Sequence, residues 1–282
     1  MLLLAALLSL LIGVVLGMLG GGGAILTLPM LVYALGVEPK VAIATSLFVV
    51  GTTSVAAASV HARAGRVRWK IGLVFGGAAM IGAFGGGHAA SFVPSTVLLI
   101  LYAAVMLVTA IMMMRRRPGG VSPASRSLAL GRALALGAGV GVLSGLVGSG
   151  GGFLIVPALS IFGGLAMREA IGTSLFVIAL QSFAGFAGHA THVELDWRLV
   201  AIVTCAAVVG TVTGSLVGRK VPADLLRRGF AWLVVAMGLF IISMQLPVFV
   251  SAAVGVVTLA AVLLVVRRGR RSEPGESSPT HS

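Results

Sequence analysis

The stretch GMLGGGGAILTLP, Gly17 to Pro29, decides how this chain is read, because it returns as GLVGSGGGFLIVP, Gly145 to Pro157. The offset, 145 − 17 = 128, holds without a gap well beyond the glycines. It sets ATSLFV (Ala44–Val49) on GTSLFV (Gly172–Val177), His61 on His189, and Trp69 on Trp197. From Gly13 to Lys70, 22 of 58 positions are identical to their partners at that offset. That is a duplication, and it organises everything else.

Composition fixes the solvent. Of 282 residues 58% are hydrophobic and only 10% charged, with a mean hydropathy of +1.12. A soluble domain carries about 25% charged residues, so this chain cannot cover a water-facing surface. Continuous apolar runs near the length of a membrane span recur throughout, over 2–19, 23–36, 41–60, 71–87, 95–114, 133–148, 152–164, 170–189, 199–217, 229–246 and 248–266. Backbone groups in hydrocarbon must pair within the protein, by helices or a closed barrel. Continuous rather than alternating runs select helices. The expected fold is therefore all-α, a polytopic transmembrane bundle. Leu2–Leu4 follow Met1 with no basic flank, so the first run is expected to stay as a span rather than act as a signal peptide.

The charges give the arrangement. Residues 115–132 (RRRPGGVSPASRSLALGR) form a polar linker between a first repeat over 1–114 and a second over 133–246. A final helix and its basic end occupy 247–271, and 272–282 read as a disordered tail. The net charge of +13 sits in clusters between apolar runs, which is the positive-inside pattern and implies no nucleic-acid partner. The loop 61–70 (HARAGRVRWK) is basic and its counterpart 189–198 (HATHVELDWR) is not. Further on the order reverses: 88–94 carry no Lys or Arg, while 216–228 carry Arg219, Lys220, Arg227 and Arg228. Equivalent loops on opposite faces mean repeats of inverted topology. Keeping the basic loops inside makes 133–164, and by duplication 1–36, enter and leave on one side, as broken or re-entrant hairpins turning at the glycines. The amino end is then outside and the carboxyl end cytoplasmic, with Lys40 and Arg198 the two basic residues left outside.

Two sets of residues are candidates for binding. Consecutive glycines at Gly20, Gly21, Gly22 and Gly23, and the run Gly148, Ser149, Gly150, Gly151 and Gly152, can point several backbone N–H groups into one cavity, a nest suited to an anion. The bland alternative is close helix packing, which suits Gly76/Gly77, Gly85–Gly87 and Gly163/Gly164 better. The hydroxyl pairs Thr45/Ser46 and Thr173/Ser174, at matching positions near the starts of spans, can donate to anionic oxygens or bond back to the preceding turn. Gln181 reads as an interhelical hydrogen bond, and His61 and His189 as interfacial or capping groups rather than proton relays. His88 and His192 resemble them but do not correspond in the repeat, and Trp69 and Trp197 suit interfacial anchors.

Six of the seven acids lie in loops or the tail and Glu169 opens a helix, so no carboxylate is placed mid-span to bind a cation or act as a general acid. Hydrolase and nucleotide-binding motifs are not seen, and the lone Cys205 suits small-residue packing. No catalytic group, metal or cofactor is expected.

The paired G-x-x-x-G-G-G…P and A/G-T-S-L-F motifs around a basic linker resemble the TauE/SafE (sulfite exporter-like) permeases, over about Gly13 to Leu246. The resemblance implies a bacterial inner-membrane carrier of small anions, particularly sulfite and organosulfonates such as sulfoacetate. It places the site on the glycine runs and the two Thr/Ser pairs named above. A carrier or channel for another solute, such as a metal ion, and a non-transporting assembly subunit are the alternatives. The partners expected are a small anion, the lipid bilayer and, as an option, further copies of the chain in a homo-oligomer.

Overall fold

The computed structural model describes residues 2–19, 26–115, 130–148, 155, 156, 159, 165–217, 223–245, 255 and 258. Gly20–Gly23, Ser149–Gly152, Gly163/Gly164, most of the linker, the tail and most of the apolar runs 152–164 and 248–266 lie outside the described residues.

Helix accounts for nearly all of what is described. The first element is α1 (Leu2–Leu19). A single turn, α2 (Thr27–Pro29), widens into a π-helical turn over Met30–Ala34. Then follow α3 (Pro39–Arg63), α4 (Trp69–Ala90) and α5 (Ser95–Arg115). The second half supplies α6 (Leu130–Val147), α7 (Met167–Ala190), α8 (Trp197–Val217) and α9 (Ala223–Gln245). Among the described residues, four helices, α3, α4, α7 and α8, are long and apolar enough to cross a membrane. The 25 residues of α3 span about 37 Å at 1.5 Å per residue, more than the ~30 Å hydrocarbon core.

Local chemistry marks the helix ends. Pro39 opens α3 at a position where its missing N–H costs nothing, and the Glu38 carboxylate accepts from the N–H groups of Lys40 (3.3 Å) and Val41 (3.4 Å). Asp196 does the same for α8, accepting from Arg198 (2.9 Å) and Leu199 (3.2 Å). The α6 helix stops at Gly148, whose φ of +71° is left-handed and favours glycine.

The helix pairs map onto themselves when the halves are exchanged. Adding 128 to the residue numbers turns α1 into α6, α3 into α7, α4 into α8 and α5 into α9. In the structure α1 packs on α8 and α6 packs on α4, so each half lends its first helix to the other. The central pair α3/α7 and the flanking pair α5/α9 are each their own counterpart. The correspondence reaches individual atoms. An added Cβ at Gly13 would collide with the Ala207 carbonyl, and at Gly17 with that of Thr211. At their repeat equivalents, Gly141 and Gly145, it would collide with the carbonyls of Ala79 and Ala83, which are the equivalents of Ala207 and Thr211. From the facing helices, Gly210 and Gly214 meet the carbonyls of Leu10 and Val14, while Gly82 and Gly86 meet those of Ala138 and Val142. Eight glycines thus let two pairs of helices approach backbone to backbone.

The exterior is apolar. Leu3, Ile81, Phe84, Phe92 and Val108 are exposed, Ile81 and Phe92 at 78%. Unlike a scattered soluble surface, these side chains clothe the outside of the bundle as lipid-facing residues must. Inside, one cluster gathers Leu28, Leu31, Ile43, Leu47, Tyr102 and Met106, and a second gathers Leu16, Val50, Phe75, Leu175 and Ile178.

Candidate functional site

The structure joins the two kinds of sequence candidate across the halves. Ser46, fully buried on α3 of the first half, donates its hydroxyl to the Gly148 carbonyl (2.5 Å), where the second half's glycine run begins. The same hydroxyl lies 3.0 Å from the Ile43 carbonyl, one turn back. Gly148 rests against Ile43 so closely that an added Cβ would come within 2.6 Å of its Cγ2. The Gly148 N–H is already committed to the Ser144 carbonyl (2.9 Å), ending α6. Gly148 is therefore the knuckle of the turn, pinned by Ser46, and its amide is not open to a ligand.

The second Thr/Ser pair is engaged differently. The Thr173 hydroxyl oxygen accepts the backbone N–H of Arg68 (2.9 Å), holding the α3–α4 loop against α7. Gly172 lets that loop in, since an added Cβ would lie 2.7 Å from the Arg66 carbonyl. Arg68 also reaches the Glu169 carboxylate at 2.7 Å. That hydrogen bond first, and the carboxylate's charge second, push the exposed Arg68 guanidinium further up from its already high value. Ser174 bonds back to Ile171 (2.8 Å), the counterpart of the Ser46–Ile43 bond. Thr45 is buried on α3. Of the sequence-derived site residues, the structure thus brings Ser46 to Gly148, keeps Thr173 at the α3–α4 loop, and leaves Gly20–Gly23 and Ser149–Gly152 outside the described residues.

The remaining candidates fall into place around this frame. Gln181, fully buried, donates its amide to the Ser144 hydroxyl (3.3 Å), an interhelical bond from α7 to α6. The His189 ring nitrogen lies 2.8 Å from the Gly145 carbonyl, so this buried histidine braces α6. His88 and His192, remote in sequence, meet at 3.0 Å where α4 ends and the α7–α8 loop begins. Near them, Lys40 donates to the Ser91 carbonyl (2.8 Å) and ties the start of α3 to the end of α4. Trp69 and Trp197 are both exposed, as is Cys205, which is not a packing residue. Gly76, Gly86 and Gly87 face close neighbours, whereas Gly77 and Gly85 face open space and need not be glycine for packing. Sequence reasoning passed over one position, Ser54, although its identity with Ser182 lies within the aligned repeat and was the signal available.

Apolar-clad helices of spanning length, paired across two halves at glycine contacts, define a multi-pass helical membrane protein of the transporter class. The chain belongs to the family described as Sulfite exporter TauE/SafE, whose profile matches residues 5–241. It is similar to a "Probable membrane transporter protein" of Xylella fastidiosa (strain 9a5c), at 32% identity over 82% of this chain and 91% of that protein. It is also similar to the "Probable membrane transporter protein YdhB" of Bacillus subtilis (strain 168), at 34% identity over 74% of this chain and 86% of the relative. The B. subtilis "Probable membrane transporter protein YunE" is 27% identical over 76% of this chain and 87% of its own length. No solved structure is a significant match to the chain.

Proposed function

We propose that this membrane transporter is a secondary permease for a small sulfur oxyanion, sulfite or an organosulfonate such as sulfoacetate, in the bacterial inner membrane. It works by alternating access between two inverted halves and does no chemistry on its cargo. The observation that carries the reading is the exchange of α1 and α6 between halves, repeated glycine for glycine at equivalent positions of the duplication. A duplicated bundle whose halves share a central helix pair can rock about that pair and open to either side in turn. The family description supports sulfite as cargo. The absence of acids from the apolar runs of the sequence supports an anion over a cation.

In this reading Ser149–Gly152 and Gly20–Gly23 supply backbone N–H donors to the anion's oxygens. Ser46 acts behind them, fixing Gly148 and so the direction in which the following amides point. Thr45, Thr173 and Ser174 complete the polar shell in one state of the cycle. The inside-positive loops orient the protein with the carboxyl end cytoplasmic and meet anionic lipid.

The test is flux of labelled sulfite and sulfoacetate into proteoliposomes against empty vesicles, under imposed proton and sodium gradients. Saturable, protein-dependent flux that unlabelled sulfonates compete away is expected, with Gly150→Leu abolishing it in protein that still purifies as a folded species. Flux of a divalent metal instead would move the cargo to the alternative class. No flux of any solute from folded protein would favour the assembly-subunit reading.

A further inference from the structure

Hydroxyls in apolar helices ordinarily return their proton to a carbonyl one turn back. Ser9, Thr52, Ser59, Thr211, Thr213 and Ser243 all do so here. Among the described residues the buried hydroxyls of Thr27, Ser54, Ser182 and Thr204 do not, and of these only Ser54 and Ser182 stand at one position of the duplication. Both are buried, at 1% and 0% exposure, and neither Oγ has a hydrogen-bond partner among the described residues. The neighbouring Thr53 hydroxyl bonds back to its own helix, lying 2.8 Å from the Val49 carbonyl and 3.1 Å from that of Val50.

The two serines are one position of the duplication, since 54 + 128 = 182. Their neighbours have diverged: Gly51, Thr52, Thr53 and Val55 face Ala179, Leu180, Gln181 and Phe183, while serine stands in both halves. Each is the sixteenth residue of its helix, counting from Pro39 in α3 and Met167 in α7, which places both at middle depth. Both flank the contact between those central helices, where an added Cβ at Gly51 would lie 3.1 Å from the Phe183 ring and one at Gly185 would lie 3.4 Å from the Leu47 side chain. A buried hydroxyl without a partner is costly. Two at one repeated position, in the helix pair on which the halves turn, call for a ligand that visits them.

We propose that Ser54 and Ser182 form a mid-membrane station, separate from the glycine runs, whose free hydroxyls donate to the oxygens of a small oxyanion in transit. The inference rests on the permease reading. Neutral donors with no opposing charge suit a waystation, because passage requires binding strong enough to enter and weak enough to leave. Beside Ser182, Gln181 turns its amide to Ser144 of α6.

The single cysteine makes the test clean. In a Cys205→Ala background, Ser54→Cys and Ser182→Cys are placed in proteoliposomes and exposed to an anionic methanethiosulfonate reagent. Val50→Cys and Ile178→Cys, buried one turn back in the apolar cluster, serve as controls. Both station cysteines are expected to react at least tenfold faster than the controls, and sulfoacetate or sulfate, but not chloride at equal ionic strength, to slow them at least threefold. Reaction at the control rate would show dry packing and overturn the station. Reaction protected by no oxyanion, or by sodium alone, would make it a water or cation position and overturn it as well. Flux separates the two claims: if wild-type protein carries oxyanion and the Ser54→Ala/Ser182→Ala double variant carries it equally fast, the station falls and the permease stands. If wild-type protein carries none, the permease reading falls, while protection by an oxyanion would still support the station.

Discussion

The α1/α8 and α6/α4 interfaces are built from the same glycines and differ in what braces them. In both, four close approaches of backbone to backbone recur at equivalent positions of the duplication. On the α6 side, Gln181 of the central helix α7 bonds to Ser144. The positions matching Gln181 and Ser144 in the other half are Thr53 and Leu16. Thr53 bonds back to its own helix at Val49 (2.8 Å), and Leu16 is buried among apolar neighbours. The shape of the interface was thus duplicated and kept, while this polar link belongs to one half. Close packing is a requirement of the architecture, and polar bracing sets how firmly each first helix is held to the centre.

The glycine contacts should give the largest effects. Gly13→Leu and Gly141→Leu each drive a side chain into a backbone carbonyl, and both are expected to cost at or beyond the upper end of the ~1–3 kcal/mol of an overpacked core. Loss of monodisperse protein in detergent, or a large fall in Tm, reports it. Gly77→Leu and Gly85→Leu, facing open space, should stay near wild type. If only one of the first two variants unfolds, the equivalence of the interfaces fails.

Gly148→Ala comes next. Its left-handed backbone costs a residue with a side chain about 1–2 kcal/mol, and Ile43 must also give way. Ser46→Ala removes the bond to Gly148 at about 1 kcal/mol and, on the proposed site, should lower flux more than that figure suggests. A Ser46→Ala protein with wild-type flux would detach Ser46 from the site.

The bracing difference predicts asymmetry. Gln181→Leu should lose about 1 kcal/mol, in the range of interhelical hydrogen bonds in membranes, while Thr53→Val should change Tm little. Equal losses would erase the contrast between the halves. The smallest effect belongs to the surface pair: Glu169→Gln removes the carboxylate charge facing exposed Arg68 and should leave Tm unchanged at physiological salt.

Much of this architecture was legible as a period and a composition. The offset of 128 pairs helices because a duplicated segment folds twice in the same way, and continuous apolar runs need helices when no water can satisfy the backbone. Gly148 as a turn and Gln181 as an interhelical link were readable too, since residue type limits what each can do. The sequence could not say which helix each glycine faces. Gly13 meets Ala207 and Gly141 meets Ala79 because α1 and α6 change places between halves, a fact of long-range packing that no local pattern encodes. For the same reason the Ser46 hydroxyl ends on the other half's glycine run, and His88 meets His192 from far along the chain. Repeat, solvent and turn chemistry were therefore fixed by the chain itself, through local sterics and the cost of an unpaired backbone in hydrocarbon. Which hydroxyls are satisfied, and so which remain free for a ligand, was decided by tertiary structure, because a hydrogen bond depends on what the fold brings within about 3 Å.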